Sequence, residues 1–362
     1  SAMAHVTEHL GLAFPSSVFQ SHPFTFARQM STLDHLTRGR VAWNVVTSYL
    51  PNAVANFGYE RLPSHDERYG LSDEYMDVVY KLWEGRWEDD AVLRDTARGI
   101  YADPDKVHPI NHTGKHFTVA GPHLSEPSPQ RTPLLFQAGS STRGRRFAAT
   151  HAECVFIVES RTSLRGAASV ISDVRAQATR LGRRSDDIRF FQGISPVVGG
   201  TEAEAKAKKA EYLEEFSTEG AFAHLSGTVG VDLAAIDLDQ PLGTINTDAM
   251  RGFVKSLIES APDKTQTFRD LTRTRLAGQF LTGTPEQIAD ALQEWQEAGV
   301  DGFNLTYSVT PGTFVDFIDG VVSVLQARDL MQKEYSPGSL RQKIFGFPRL
   351  PERHPAAAYR RS

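Results

Sequence analysis

The feature that most constrains this chain is an alternation of short apolar runs with longer stretches of helical periodicity. Val41-Ala42-Trp43-Asn44-Val45-Val46 and Pro133-Leu134-Leu135-Phe136-Gln137-Ala138 are near-continuous apolar runs. Strands covered on both faces read this way, and parallel sheets are so covered because helices connect their strands. Further candidate strands are Gly11 to Val18, Glu153 to Glu159, Ile188 to Val198 and Gly302 to Tyr307. Apolar spacing predicts helices over Phe24 to Thr37, Ser64 to Gly85, Ser163 to Leu181, Glu202 to Phe216 and Phe314 to Leu330. Another follows Gly139-Ser140-Ser141 and runs through Ala152. Thr284-Pro285-Glu286-Gln287 opens one more, with Thr at the cap, Pro at the first position and Gln at the third. Six strands in strand–helix order point to an α/β protein of the barrel type.

Residues 1–335 read as one barrel domain with two insertions. The first, about 86–132, is polar, carries Gly114, Gly121, Pro122, Pro127 and Pro129, and suits a small hairpin. The second, about 217–280, holds Gly and Thr clusters before a helical stretch from Ala249, and suits a lid. Residues 336–362, rich in Pro and Arg, read as an extended arm. The opening residues through His9 read as the last turns of a helix leading into a strand. An eight-stranded barrel would then need two more strands upstream of Ser1.

Charge narrows the function. Lys and Arg number 39 against 44 Asp and Glu, a net of −5, whereas a nucleic-acid or anionic-membrane binder needs a basic excess. The lone Cys154 allows neither an intramolecular disulfide nor a cysteine zinc site, which favours a reducing compartment and a cytoplasmic location. The longest uncharged run, 41–59, is broken by Asn44, Pro51 and Asn52, so no membrane span is expected. G-x-S-x-G, P-loop, H-E-x-x-H and helix-opening G-x-G-x-x-G patterns do not occur, which argues against hydrolases, NTPases, zincins and dinucleotide-binding dehydrogenases. His108, His112 and His116 are spaced by four, but Pro109 and Gly114 break any helix that would align them, so no metal site is assigned.

Three places could carry chemistry. Gly139-Ser140-Ser141 lies where a buried strand gives way to a helix, so backbone N–H groups and two hydroxyls converge there. Such a terminus attracts an anion, typically phosphate, although plain capping by serine is the simpler reading. His65 and Tyr69 lie four apart near a helix start and share a face; a capped, partly buried helix end explains them equally well. Asn44 is a polar group within a buried strand and must find a partner, in a ligand or in a neighbouring loop.

Several segments together resemble one family. They are Leu33 to Ser48, His65-Asp66-Glu67-Arg68-Tyr69, Trp87-Glu88-Asp89-Asp90-Ala91, Glu126 to Pro133 and Gln137-Ala138-Gly139-Ser140-Ser141. The chain is similar, nearly end to end, to the bacterial-luciferase-like flavin monooxygenases of the nitrilotriacetate and dibenzothiophene-sulfone branch. Lys81 to Gly85, Asp301 to Leu305, Tyr335 to Arg341 and His354 to Arg360 look closest to members acting on dimethyl sulfide.

The resemblance implies a TIM (β/α)8-type barrel with insertions, here apparently lacking its first two strands, often as a homodimer or higher homo-oligomer. It implies FMN at the C-terminal strand ends, with Ser140 and Ser141 on the phosphate, His65 and Tyr69 on the ribityl–phosphate region, and Asn44 near the ring or ribityl chain. Many relatives carry a Thr where this chain has Phe19, which makes Ser17 the substitute candidate. Phe19, Tyr307 and Val309 would shape the substrate pocket. The implied reaction uses reduced FMN from a separate NAD(P)H-dependent flavin reductase. With O2, through a C4a-peroxyflavin, it oxidises a small organic substrate, such as a dialkyl sulfide. No catalytic base is assigned. The rivals are a flavin- or deazaflavin-dependent dehydrogenase of the same superfamily and a truncated, non-catalytic flavin-binding remnant.

Overall fold

The computed structural model describes residues 1–48, 51–139, 141–157, 163–229, 237–242, 263 and 265–360. The strands, in chain order, are β1 (Leu12–Ser17), β2 (Val41–Val46), β3 (Val92–Asp95), β4 (Ile100–Ala102), β5 (His112–Thr113), β6 (Thr118–Val119), β7 (Leu134–Gln137), β8 (Cys154–Ile157), β9 (Arg189–Val198), β10 (Phe280–Gly283) and β11 (Gly302–Leu305). The main sheet runs β1-β2-β7-β8-β9-β10, and β11 also pairs with β9. Every pairing within it is parallel.

The alternation of side chains along each strand divides the sheet into two faces. Val41, Trp43, Val45 and Leu135 pack with Phe26, Met30, Tyr75, Met76 and Trp83, which belong to the Pro23–Leu36 and His65–Glu84 helices. Val155, Ile157 and Phe190 pack likewise on Ala148, Val170, Ile171 and Val174. Trp43 is fully buried against Phe26 at 4.5 Å and Tyr75 at 5.9 Å between ring centroids. Burying a large side chain of this kind contributes about 1.5–3 kcal/mol, so this helix-covered face carries most of the stability. The other face gathers Ala42, Leu134, Phe136 and Cys154, with Phe156 and Phe191 beside them.

The six strands expected from the apolar runs are β1, β2, β7, β8, β9 and β11. One strand was not expected. Phe280–Gly283 begins where the second insertion was expected to end, and it pairs in parallel with Ser195–Val198 at the far end of the ten-residue β9. Four residues of Phe-Leu-Thr-Gly are too few to show a period, and pairing with a long neighbour decides the outcome. The first insertion forms two hairpins, β3–β4 and β5–β6. The second supplies the Thr218–Val229 and Phe268–Ala277 helices, while the helical stretch expected from Ala249 lies outside the described residues.

The C-terminal segment is more than an extended arm. It forms a Leu340–Phe345 helix whose Leu340, Ile344 and Phe345 pack on the Ala42, Phe136 and Cys154 face. Leu340 N–H donates to Gly39 O at 2.7 Å, just before β2, and a Cβ on Gly11, just before β1, would lie 2.7 Å from Leu340 Cδ1. The segment therefore closes the N-terminal ends of the strands and leaves their C-terminal ends to the loops.

Candidate active site

The site is built from two helix starts that meet. At the first, Ser64 and Glu67 form a capping box: Ser64 N–H donates to Glu67 Oε2 at 2.8 Å, and Glu67 N–H donates to Ser64 Oγ at 3.4 Å. This fixes the opening turn of the His65–Glu84 helix and so the position of His65. At the second, Ser141 caps the Thr142–His151 helix, its Oγ accepting from Gly144 N–H at 3.0 Å.

His65 Nε2 lies 3.0 Å from Ser141 Oγ, and His65 Nδ1 lies 3.0 Å from Asp66 Oδ1. His65 thus turns Nδ1 to the Asp66 carboxylate and Nε2 to the Ser141 hydroxyl, with which it shares one hydrogen bond. Tyr69, one turn beyond His65, is 4% exposed. A Cβ on Gly139 would stand 2.8 Å from the Tyr69 hydroxyl, and one on Gly144 2.7 Å from it. Gly139 would also collide with Gln137 Nε2. Only glycine fits at 139 and 144, so bare backbone faces the phenol and the serine cap.

The first turn of the Thr142–His151 helix has no acidic residue and carries Arg143 and Arg145. The positive end of the helix dipole and the Ser141 hydroxyl thus lie together, which favours an anion. Ser140, expected beside Ser141, lies outside the described residues.

Asn44 follows a different logic. Its register partners are Pro15 of β1 and Phe136 of β7, which places it on the face opposite the helix-packed Trp43. Its Oδ1 is buried and has no hydrogen-bond partner among the described residues. A buried acceptor left open costs about 1–3 kcal/mol unless something donates to it. Ser17 shares that face at the end of β1, but its Oγ already accepts from Phe19 N–H at 3.2 Å and closes the turn there.

The three expected pocket residues separate. Phe19 is 7% exposed and packs edge-on against Tyr59 at 5.1 Å, inside the main core cluster. Tyr307 and Val309, just past β11, are 59% and 44% exposed. Two cavities lie away from these residues. One of about 310 Å³ runs beside β11 from Val300 to Met331, and one of about 920 Å³ is lined by His5, His9, Arg38 and Lys343. Convergent polar groups, rather than cavity volume, mark the site here.

Two residues escaped the sequence reading. Asp73 stands at the third step of the His65, Tyr69 spacing and pairs with the guanidinium of Arg143. The Arg143 Cζ lies 5.3 Å above the Tyr69 ring. Burial raises the Asp73 carboxyl, but hydrogen bonding with His151 and the charge of Arg143 outweigh it and leave the group below its ordinary range. The i, i+4, i+8 spacing was the available signal.

A parallel α/β sheet with polar groups gathered beyond the C-terminal ends of its strands is the arrangement of barrel enzymes. Residues 1–302 match the family model described as luciferase-like monooxygenase. The chain is 48% identical to the dimethyl-sulfide monooxygenase of Hyphomicrobium sulfonivorans, an alignment covering 99% of this chain and 76% of that protein. It is also 48% identical to the long-chain alkane monooxygenase of Geobacillus thermodenitrificans, covering 99% and 78%. Nitrilotriacetate monooxygenase component A of Aminobacter aminovorans is 36% identical, covering 95% and 77%. Among solved structures, DmoA from Hyphomicrobium sulfonivorans superposes with a TM-score of 0.89 at 48% identity, covering 99% of this chain and 77% of that one. A riboflavin lyase, RcaE, with modified FMN and riboflavin superposes at 0.85 with 36% identity, covering 100% and 80%. This chain belongs to the luciferase-like monooxygenase family. No described helix is long and apolar enough to cross a membrane.

Proposed function

We propose that the chain is the oxygenating component of a two-component flavin monooxygenase of the cytoplasm. It would take reduced FMN from a separate NAD(P)H-dependent reductase and use O2 to oxidise a small organic substrate, with dialkyl sulfides the first class to test. The observation that carries this reading is the meeting of His65 and Ser141 at 3.0 Å over a helix N-terminus whose glycines leave the backbone open. That donor set suits a phosphate monoester.

Bound reduced FMN would supply the two electrons that activate O2, one atom of which passes to the substrate while the other leaves as water. The protein's share is position and dryness. Ser141, the N-terminus of the Thr142–His151 helix and His65 would hold the phosphate end, while Tyr69 packs against Gly139 and Gly144. The open Oδ1 of Asn44 accepts a hydrogen bond from a ribityl hydroxyl or a ring N–H. Phe136, Phe156 and Phe191, with ring centroids 5.1–6.1 Å apart, form an apolar wall on the same face as Asn44 and keep water away. Tyr307 and Val309 supply exposed apolar surface for a small substrate.

The test supplies the full chain with chemically reduced FMN and a dialkyl sulfide and follows O2 uptake together with aldehyde and thiol release. Uptake coupled to product supports the reading. Substrate oxidation that proceeds without O2 would replace it with hydride transfer.

A further inference from the structure

We propose that Asp73 and Arg143 are positioning residues that give the site its preference for a phosphorylated flavin over an unphosphorylated one. The proposal rests on the flavin reading above. His65, Tyr69 and Asp73 occupy one stripe of the His65–Glu84 helix at successive four-residue steps. The first two meet the phosphate cradle, and the third holds the helix that presents it.

The Asp73 carboxylate grips the Thr142–His151 helix near both ends. One oxygen pairs with Arg143, the second residue of that helix. The other lies 3.6 Å from Nε2 of His151, its last residue. His151 Nδ1 in turn lies 3.2 Å from the Tyr80 hydroxyl, on the same helix as Asp73. Fixed in this way, the short helix cannot slide along the long one, and Ser141 Oγ stays level with His65 Nε2. Arg143 adds a second constraint. Its guanidinium lies over one side of the Tyr69 ring at 5.3 Å, and Phe147 packs against that ring at 5.6 Å. The phenol is thereby held against Gly139 and Gly144.

Magnitudes separate this role from a merely structural one. The Asp73 and Arg143 side chains are 44% and 28% exposed. A pair this open contributes little to folding, about 0–1 kcal/mol. FMN would bring a charged phosphate to the Ser141–His65 cradle and riboflavin would not, so misplacing the cradle costs charge-assisted contacts that only FMN makes. Removing the pair should therefore cost discrimination more than stability.

The experiment titrates the full chain with oxidised FMN and with riboflavin, following flavin fluorescence, and records the Tm of each variant. The wild type is expected to bind FMN at least about tenfold tighter than riboflavin, the scale of one charge-assisted contact. Asp73→Asn and Arg143→Met are expected to weaken FMN about tenfold and riboflavin no more than about twofold, with Arg143→Lys in between. Should Arg143→Met fail to fold, the FMN-to-riboflavin ratio of Arg143→Lys decides. Equal weakening of both flavins, or unchanged FMN affinity, overturns the proposal. A wild-type chain that binds both flavins equally overturns it while leaving the flavin reading in place, and a chain that binds neither overturns both.

Discussion

The two ends of the sheet differ in how they treat polar groups. At the N-terminal ends, charges are buried and matched. Arg341 is fully buried and bonds Glu153 through two nitrogens, at 2.6 and 2.9 Å, and Thr132 O at 2.8 Å. Gln130 joins the same group, its side-chain N–H donating to Asp34 Oδ1 at 2.7 Å. At the C-terminal ends the opposite holds. Asn44 Oδ1 is left open, His65 is half exposed, and Tyr307 and Val309 face solvent. The difference teaches that one end is organised to hold the fold together and the other to receive something.

The sharpest way to break that contrast is at the buried pair. Arg341→Met leaves the buried Glu153 without its counter-charge, and is expected to cost about 3–5 kcal/mol. Thermal unfolding checks it, and Arg341→Met with Glu153→Leu should recover much of the loss because neither member of the pair is left buried without the other. A single variant that keeps its Tm but loses flavin affinity would contradict the division between the ends.

Acid is the next lever. Burial pushes the His123 imidazole down to about 4, and its Nε2 lies 2.9 Å from Ser31 Oγ. The folded protein refuses a proton that the unfolded chain accepts with a pKa near 6.5. Stability from this group is therefore complete above about pH 6.5 and lost as pH falls toward 4, by about 2–3 kcal/mol. His123→Gln should flatten that slope in denaturant titrations at successive pH values. At the open end, Ser141→Ala should weaken FMN binding by about 1–3 kcal/mol and loosen the helix cap by about 1 kcal/mol, read from the dissociation constant and the Tm. The smallest effect is expected at the exposed Glu202–Lys206 pair, where Lys206→Ala should change stability by less than about 0.5 kcal/mol and flavin affinity not at all.

What was legible in the sequence follows the same division. β2 and β7 declared themselves through unbroken apolar runs, and Thr284 to Gln287 forms the expected capping box. The pairing of His65 and Tyr69 on one helix face, and the cap at Ser141, were legible because local spacing sets them. Interactions between distant segments were not. Arg341 meets Glu153 across 188 positions, so a Pro- and Arg-rich tail read as an arm although it closes one end of the sheet. Asp73 was missed because an acidic residue on a helix is usually solvated, and nothing in its own turn announces a partner 70 residues on. Phe19, which the resemblance gives as a pocket residue, packs edge-on against Tyr59, a contact between segments 40 residues apart that its own sequence does not announce.

The central proposal is one of place: the phosphate of a flavin would sit beyond the C-terminal ends of the strands, against the Ser141–His65 pair. A crystal structure of the chain with FMN measures this directly. The account expects phosphate oxygens within about 3.5 Å of Ser141 Oγ and His65 Nε2, with the ring on the Asn44 face. Flavin density at the Arg341 end, or in the cleft lined by His5 and Arg38, would contradict it.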